Sequence, residues 1–123
     1  MGSQESIEVF TSEIKRRYIR SFLDLLILQL VQTQPTWGYK IIKKTQDQYR
    51  VRLRHGALYP TLSTLEAKSL LQSKKHLQKG RIRKVYHITK KGKQFLQAYH
   101  DFLREQASMS NTKNKERIIR REY

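Results

Sequence analysis

At 123 residues the chain is long enough for one domain with a modest core, and a chain of this size gains stability by dimerising. It contains no cysteine, which excludes disulfide bonds and thiolate metal sites. Its longest apolar run is broken by Asp24 and Gln29 and is too short to cross a membrane, and its first residues lack the apolar segment of a signal peptide. We therefore expect a soluble cytoplasmic protein without membrane contacts.

Positive charge is concentrated in the middle of the chain. The formal net charge is +16, and residues 25–100 hold sixteen Lys and Arg but only two acids, Asp47 and Glu66. A patch of one sign attracts polyanions through counterion release. Nucleic acid is thus the predicted partner. The alternative is a solvated basic face, although a surface that served only solubility would mix both signs.

Apolar residues spaced by three and four predict a long helical region at the N-terminus, formed by one helix or by two joined near Tyr18. Residues 22–31 are apolar almost all round, which is typical of a central core helix. Pro35 ends that helix, because the residue before a proline disfavours helical angles. Thr36 is a candidate N-cap for a second helix. The apolar side of this second helix is predicted to consist of Tyr39, Ile41 and Ile42.

The segment RHGALYPTLSTLEAKSLL, residues 54–71, predicts a third helix in spite of its internal Pro60. Leu58, Leu62 and Leu65 share one helical face and are expected to point inward. The outward face then consists of Gly56, Tyr59, Pro60, Ser63, Thr64 and Ala67. No arginine lies on that face, so the bidentate contact of arginine to guanine is not available from its middle.

Two strand-like runs at 70–74 and 83–88 follow, and Gly80 between them suits the turn of a β-hairpin. Thr89 is a candidate cap for a last helix. The predicted order of three helices, a hairpin and a helix is a mainly α (α+β) fold with a small β-hairpin wing, the outline of a winged helix-turn-helix. We divide the chain into an N-terminal helix (1–20), the winged helix-turn-helix domain (21–88), a C-terminal helix (89–107) and a basic tail predicted to fray (108–123).

Several of these segments carry a family motif. Trp37-Gly38-Tyr39, the run GALYPTLSTLE and Tyr86-Ile88-Thr89 with Gly92 together resemble the PadR family of transcriptional regulators. The similarity covers about residues 22–102, and the GxLYPxLxxLE segment is its most specific part. The sequence departs from the family pattern at Arg54-His55 in place of Ser-Pro, Ala57 in place of threonine, Thr64 in place of arginine, and Trp37 in place of histidine.

The resemblance implies a homodimeric, nucleoid-associated regulator that binds double-stranded DNA and is usually a repressor. Helix 55–68 would enter the major groove, and the 72–88 wing would reach the backbone or the minor groove. The last helix, with the N-terminal one, would form the dimer interface. The residues expected there are Ile7, Phe10, Ile14, Phe95, Leu96, Tyr99, Phe102 and Leu103. The stripe on the last helix could instead cover the chain's own core.

Candidate DNA contacts follow from charge and placement. Tyr59, Ser63 and Thr64 are expected to read bases, while Arg54 and His55 could reach bases or phosphates. Tyr59 could alternatively be half-buried packing. The expected phosphate contacts are Lys40, Lys43, Lys44, Arg50, Arg52, Lys79, Arg81 and Arg83. The basic wing tip suits a narrow minor groove.

Other functions find less support. The four histidines lack metal-ligand spacing, the central acids form no dyad, and no phosphate-binding loop is visible, so we expect neither an enzyme nor a cofactor. A small-molecule effector is possible but unidentified, and Trp37 could line its cavity between the dimer helices or be ordinary packing. The alternative functions are an architectural DNA-binding protein with low sequence specificity and a protein-interaction module.

Overall fold

The computed structural model describes residues 3–109, in five helices and one two-stranded antiparallel sheet. The predicted mainly helical winged fold is confirmed. The elements are α1 (Ser3–Ser21), α2 (Leu23–Thr33), α3 (Gly38–Tyr49), α4 (His55–Ala67), β1 (Leu71–Gln78), β2 (Arg81–Ile88) and α5 (Lys90–Met109). The predicted fraying of the tail concerns residues that lie mostly outside this described part of the chain.

Helix α2 is the centre of the core, as its nearly uniform apolar composition predicts. Leu25, Leu26, Ile27 and Leu28 are each at most 1% exposed. Apolar side chains on opposite sides of one helix can all be buried only where other elements surround it. Here α1, α4, α5 and β2 pack around α2.

The boundary between α1 and α2 lies at Phe22, four residues after the predicted junction at Tyr18. Phe22 leaves the helical region with φ −118° and ψ 33°, although its amide still donates to the Tyr18 carbonyl at 2.8 Å. Asp24 then accepts a hydrogen bond from the Leu25 amide at 2.8 Å. The helical spacing continues across this bend, so the apolar pattern did not mark it.

Helix α4 has the predicted orientation. Leu58 and Leu62 are 0% exposed and Leu65 is 3% exposed, whereas the six outward residues expected from the helical wheel are all exposed. Pro60 lies inside the helix and does not end it.

The hairpin of β1 and β2, which we call the wing, is longer than predicted. Its register runs from Leu71 opposite Ile88 to Gln78 opposite Arg81, which leaves a two-residue turn of Lys79 and Gly80. Both turn residues have positive φ, 50° and 76°, as a type I′ turn requires. The strand residues near the tip were not predicted because they include lysines, arginines and glutamines. Neither face of the hairpin is buried there, so no alternation of apolar and polar residues marks the strands.

The junction between the wing and α5 confirms Thr89 as a cap. Its hydroxyl oxygen accepts a hydrogen bond from the Gly92 amide at 2.9 Å and donates toward the Ser69 carbonyl at 2.6 Å. The other predicted cap was wrong. Thr36 makes no cap hydrogen bond, and Trp37 holds the N-cap position of α3 without a side-chain cap. Thr36 instead pairs with Tyr86 as a short bridge at the edge of β2.

Candidate nucleic-acid interface

Helices α3 and α4 touch through an aromatic side chain on α4. The Tyr59 ring packs against Gly38 in the first turn of α3, and it also stacks on His55 with ring centroids 5.6 Å apart and planes 10° from parallel. Tyr59 is nonetheless 42% exposed. It therefore combines the two interpretations left open by the sequence: part of the ring is packing, and part of it faces solvent.

Glu66 ties α4 to both strands of the wing. Its Oε2 accepts hydrogen bonds from the amide of Ser73, at 3.1 Å, and from the Ser73 hydroxyl, while its Oε1 lies 3.4 Å from Nζ of Lys84. The Ser73 hydroxyl hydrogen bond and the Lys84 ammonium hold the pKa of the Glu66 carboxyl below its usual range. The wing is thereby fixed to the C-terminal half of α4.

The N-terminus of α3 is attached to the other edge of the wing. Thr36 and Tyr86 exchange backbone hydrogen bonds of 3.2 and 2.7 Å, which form an isolated bridge beside the two-stranded sheet. The next residue, Trp37, has the Arg83 guanidinium 4.6 Å and the Lys40 ammonium 5.0 Å from its ring centroid. These cation–π contacts hold two basic side chains over one indole. Trp37 therefore packs against the wing, and not between the terminal helices.

These attachments enclose a groove between α4, the start of α3 and β2. It has a volume of about 780 Å³ and is floored by Tyr86. Its walls include Trp37, Tyr39, Tyr59, Ser63, Ile82 and Lys84. We call it the wing groove. Aromatic and cationic side chains thus line one concave surface beside the outward face of α4.

The structure brings four of the thirteen predicted contact residues together in one groove. Tyr59, Ser63, Arg81 and Arg83 line the wing groove. Lys40, Lys44 and Arg83 are partly buried, and the remaining ones are exposed: Lys43, Arg50, Arg52, Arg54, His55, Tyr59, Ser63, Thr64, Lys79 and Arg81. Arg50 ends α3 in the left-handed conformation, with φ 57°.

Six of the ten residues that line the wing groove were not among the predicted contacts, and three of these six are exposed: Tyr39, Ile82 and Lys84. Tyr39 was expected in the core beside Ile41 and Ile42, but it is 64% exposed, whereas Ile41 is 0% exposed. For Ile82 and Lys84 the alternation of the longer hairpin was the available signal, since both share a face with the buried Tyr86.

The residues expected at the dimer interface fall into two groups within a single chain. Ile7, Phe10, Ile14, Phe95 and Phe102 are between 38% and 62% exposed. Leu96, by contrast, is 1% exposed and belongs to the core of the single chain, and Tyr99 and Leu103 pack partly against that core. The apolar stripe of α5 therefore packs into the core of the chain along one edge. Along the other edge its large apolar side chains remain exposed.

Within residues 3–109 no group of three or more His, Asp or Glu side chains is arranged to hold a metal ion. No helix of that part is long and apolar enough to span a membrane.

The paired helices α3 and α4 with the attached hairpin define a winged helix-turn-helix protein. The model of the transcriptional regulator PadR-like family matches residues 27–98, more than half of the chain. The chain therefore belongs to the PadR-like family and is a DNA-binding transcription regulator, and not an enzyme. No curated protein matches it.

Solved structures of similar proteins support this assignment. A PadR-like transcription factor from Bacteroides fragilis is 28% identical, with a TM-score of 0.68 over 80% of this chain and 96% of that one. A PadR family transcription regulator from Clostridium difficile is also 28% identical, with a TM-score of 0.66 over 72% and 95% of the two chains. A PadR-like transcriptional regulator from Bacillus cereus has a TM-score of 0.69 over 77% and 93%, and at 23% identity it supports the fold alone.

Proposed function

We propose that the protein is a homodimeric repressor that places α4 in the major groove and its wing on the DNA backbone or in the minor groove. The observation that carries this proposal is the wing groove, where the outward face of α4 and the basic edge of β2 form one continuous surface. A major groove about 12 Å wide admits one helix, and the adjoining hairpin then meets the flanking backbone.

The contacts divide by chemistry. Tyr59, Ser63 and Thr64 offer hydroxyl groups to base edges, while exposed cations such as Lys43 and Arg52 neutralise phosphates. Because hydroxyl groups discriminate bases less sharply than a bidentate arginine, the phosphates contribute most of the affinity. Binding to a promoter would block transcription by occlusion.

The exposed apolar side chains of α1 and α5 support a dimer. Phe10 is 60% and Phe102 is 56% exposed, and a second copy would cover such large apolar groups. A two-fold dimer presents its two α4 helices to half-sites about 34 Å apart.

The test is a fluorescence anisotropy titration against the region upstream of the protein's own gene and against a shuffled duplex, at two salt concentrations. A regulator binds the native duplex about a thousandfold more tightly. The second candidate is an architectural DNA-binding protein, favoured by the net charge of +16 and the arginine-free face of α4. It would bind both duplexes alike. If neither duplex is bound at low salt, both functions are excluded.

A further inference from the structure

The tip of the wing carries a pair of apolar side chains that are not part of the hydrophobic core. Leu77 and Ile82 lie directly opposite each other on β1 and β2, and they are 76% and 72% exposed. They are the two most exposed large hydrophobic side chains of the described residues. Burial in the wing ends well before them, since Leu71 and Tyr86 are the last buried positions on β1 and β2.

The register makes this pair compact. Gln78 and Arg81 flank a two-residue turn, so they form a hydrogen-bonded pair, and the next pair inward is non-hydrogen-bonded. Side chains of non-hydrogen-bonded pairs approach more closely, with Cα atoms about 4.5 Å apart. Leu77 and Ile82 thus form one aliphatic knob.

The knob projects on the same side as the wing groove. Strand alternation puts Leu77 and Ile82 on the face shared by Ser73, Lys84 and Tyr86, which is the face that packs toward α4, and Ile82 itself lines the groove. Leu77 lies six residues beyond the buried Leu71, about 20 Å along the strand at 3.3–3.4 Å per residue.

The surroundings of the knob are cationic. Two register steps toward the core, on the same face, lies the pair Lys75 and Lys84, and the tip beyond the knob carries Lys79 and Arg81. Neither strand contains an Asp or Glu. A second copy of the same wing would therefore be repelled by like charge. A polyanion with an apolar interior, in contrast, matches both the charges and the knob.

We propose that Leu77 and Ile82 form an apolar wedge that enters the minor groove of DNA and partly unstacks one base step. Wedges of this kind kink the duplex toward the major groove and increase the surface that a protein contacts. The flanking lysines and arginines neutralise the two phosphate strands that border the groove. The proposal rests on the proposed DNA binding and adds a deformation of the DNA to it.

The test uses the full chain and the upstream duplex with 2-aminopurine placed in turn at the adenines of the site, since the fluorescence of this base rises on unstacking. We compare the wild type with L77T/I82T, whose β-branched threonines suit strands and leave the charge unchanged. K79A is the control that removes one charge and keeps the knob.

The wild type is expected to raise the fluorescence at one step per half-site. L77T/I82T should lose this signal and bind about tenfold more weakly with an unchanged salt slope, since two aliphatic side chains no longer leave water. K79A should keep the signal and lower the salt slope by about 0.9.

Two outcomes overturn the wedge while the regulator function stands: salt-dependent binding by the wild type without unstacking at any position, or a full signal from L77T/I82T. Failure of the wild type to bind DNA removes the proposed function itself. The last measurement compares the binding of the wild type and of L77T/I82T to anionic phospholipid vesicles. If L77T/I82T loses vesicle binding and keeps its DNA affinity, the knob is a lipid contact and the wedge is wrong.

Discussion

Tyr59 of α4 lies so close to Gly38 of α3 that a Cβ atom at position 38 would stand 2.5 Å from the Tyr59 hydroxyl oxygen. The two helices therefore meet where one of them has no side chain. The Tyr59 ring, which is 42% exposed beside the proposed base-reading surface, can take this position only because residue 38 has no side chain.

The first prediction concerns G38A. The added methyl group displaces the end of the Tyr59 side chain, which can move, so the free energy of unfolding should change by less than about 1 kcal/mol. Affinity for the specific duplex should fall about tenfold, measured by anisotropy. In a Y59A background the same substitution should have no further effect. An equal loss in both backgrounds would mean that Gly38 acts independently of Tyr59.

The second prediction concerns G92A, in the first turn of α5. A Cβ there would overlap the Leu70 carbonyl oxygen and lie 2.7 Å from the Ile88 side chain. Because backbone atoms cannot move aside cheaply, we expect a loss of more than about 2 kcal/mol in unfolding free energy, measured by urea denaturation. G56A is the matched control, since nothing lies within 4 Å of its added Cβ. Equal midpoints for the two variants would contradict the packing described here.

The third prediction concerns the pH dependence of stability. The pKa of Glu66 is lowered in the folded state, chiefly by the Ser73 hydroxyl hydrogen bond and also by Lys84. A lowered folded-state pKa contributes stability above the unfolded-state pKa, and this contribution is lost as the pH falls through the folded-state pKa. The contribution is less than about 1 kcal/mol, because the side chain is partly exposed.

E66Q tests this dependence, because it keeps the shape of the side chain and cannot ionise. Near neutral pH it should unfold at a lower temperature than the wild type. The difference should shrink as the pH falls below about 4.3, the ordinary pKa of glutamate. A difference that stays constant throughout the acid range would show that the Glu66 charge is not responsible.

The fourth prediction separates phosphate contacts from general charge. Lys43 is exposed on α3, and K43A should lower the slope of log affinity against log salt by about 0.9. R104A removes one charge from α5, where Arg104 lies 3.4 Å from Asp101, and should leave the slope unchanged. Equal slopes for K43A and the wild type would remove Lys43 from the interface.

The fifth prediction concerns assembly. Phe102 is 56% exposed on α5, and F102D should convert the proposed dimer into a monomer in sedimentation velocity experiments. Burying an unpaired carboxylate in the interface costs several kcal/mol of association free energy. The remaining apolar contacts of the interface would not offset that cost. L77D introduces the same charge at an exposed apolar position of the wing and should remain dimeric. A wild-type monomer at micromolar concentration would exclude the dimer.

Much of the fold was predictable from the local spacing of apolar and capping residues. The three leucines of α4 and the Thr89 cap depend on neighbours in sequence, and both were predictable. Tyr39 was misplaced because apolar content alone does not say which side of a helix faces the core. Thr36 was misread as a cap because its partner, Tyr86, is 50 residues away.

The attachment of the wing to α4 depended on distant partners as well. Glu66 lies seven residues before Ser73 and eighteen before Lys84, and no local rule joins a helical glutamate to two strand residues. The motif LE marked the position of Glu66 without giving its role. Tertiary hydrogen bonds of this kind become visible only once the hairpin register is known.

Glu66 also has a consequence for how the protein meets its target. Because this carboxylate holds Ser73 of β1 and Lys84 of β2, the base of the wing is oriented relative to α4 before any DNA arrives. The conformational entropy of aligning these two elements is lost during folding, and binding does not have to lose it again. In the proposed complex the distance between the α4 contact and the wing contact would then be fixed, so affinity would depend on how far apart the two contacted features lie along the DNA.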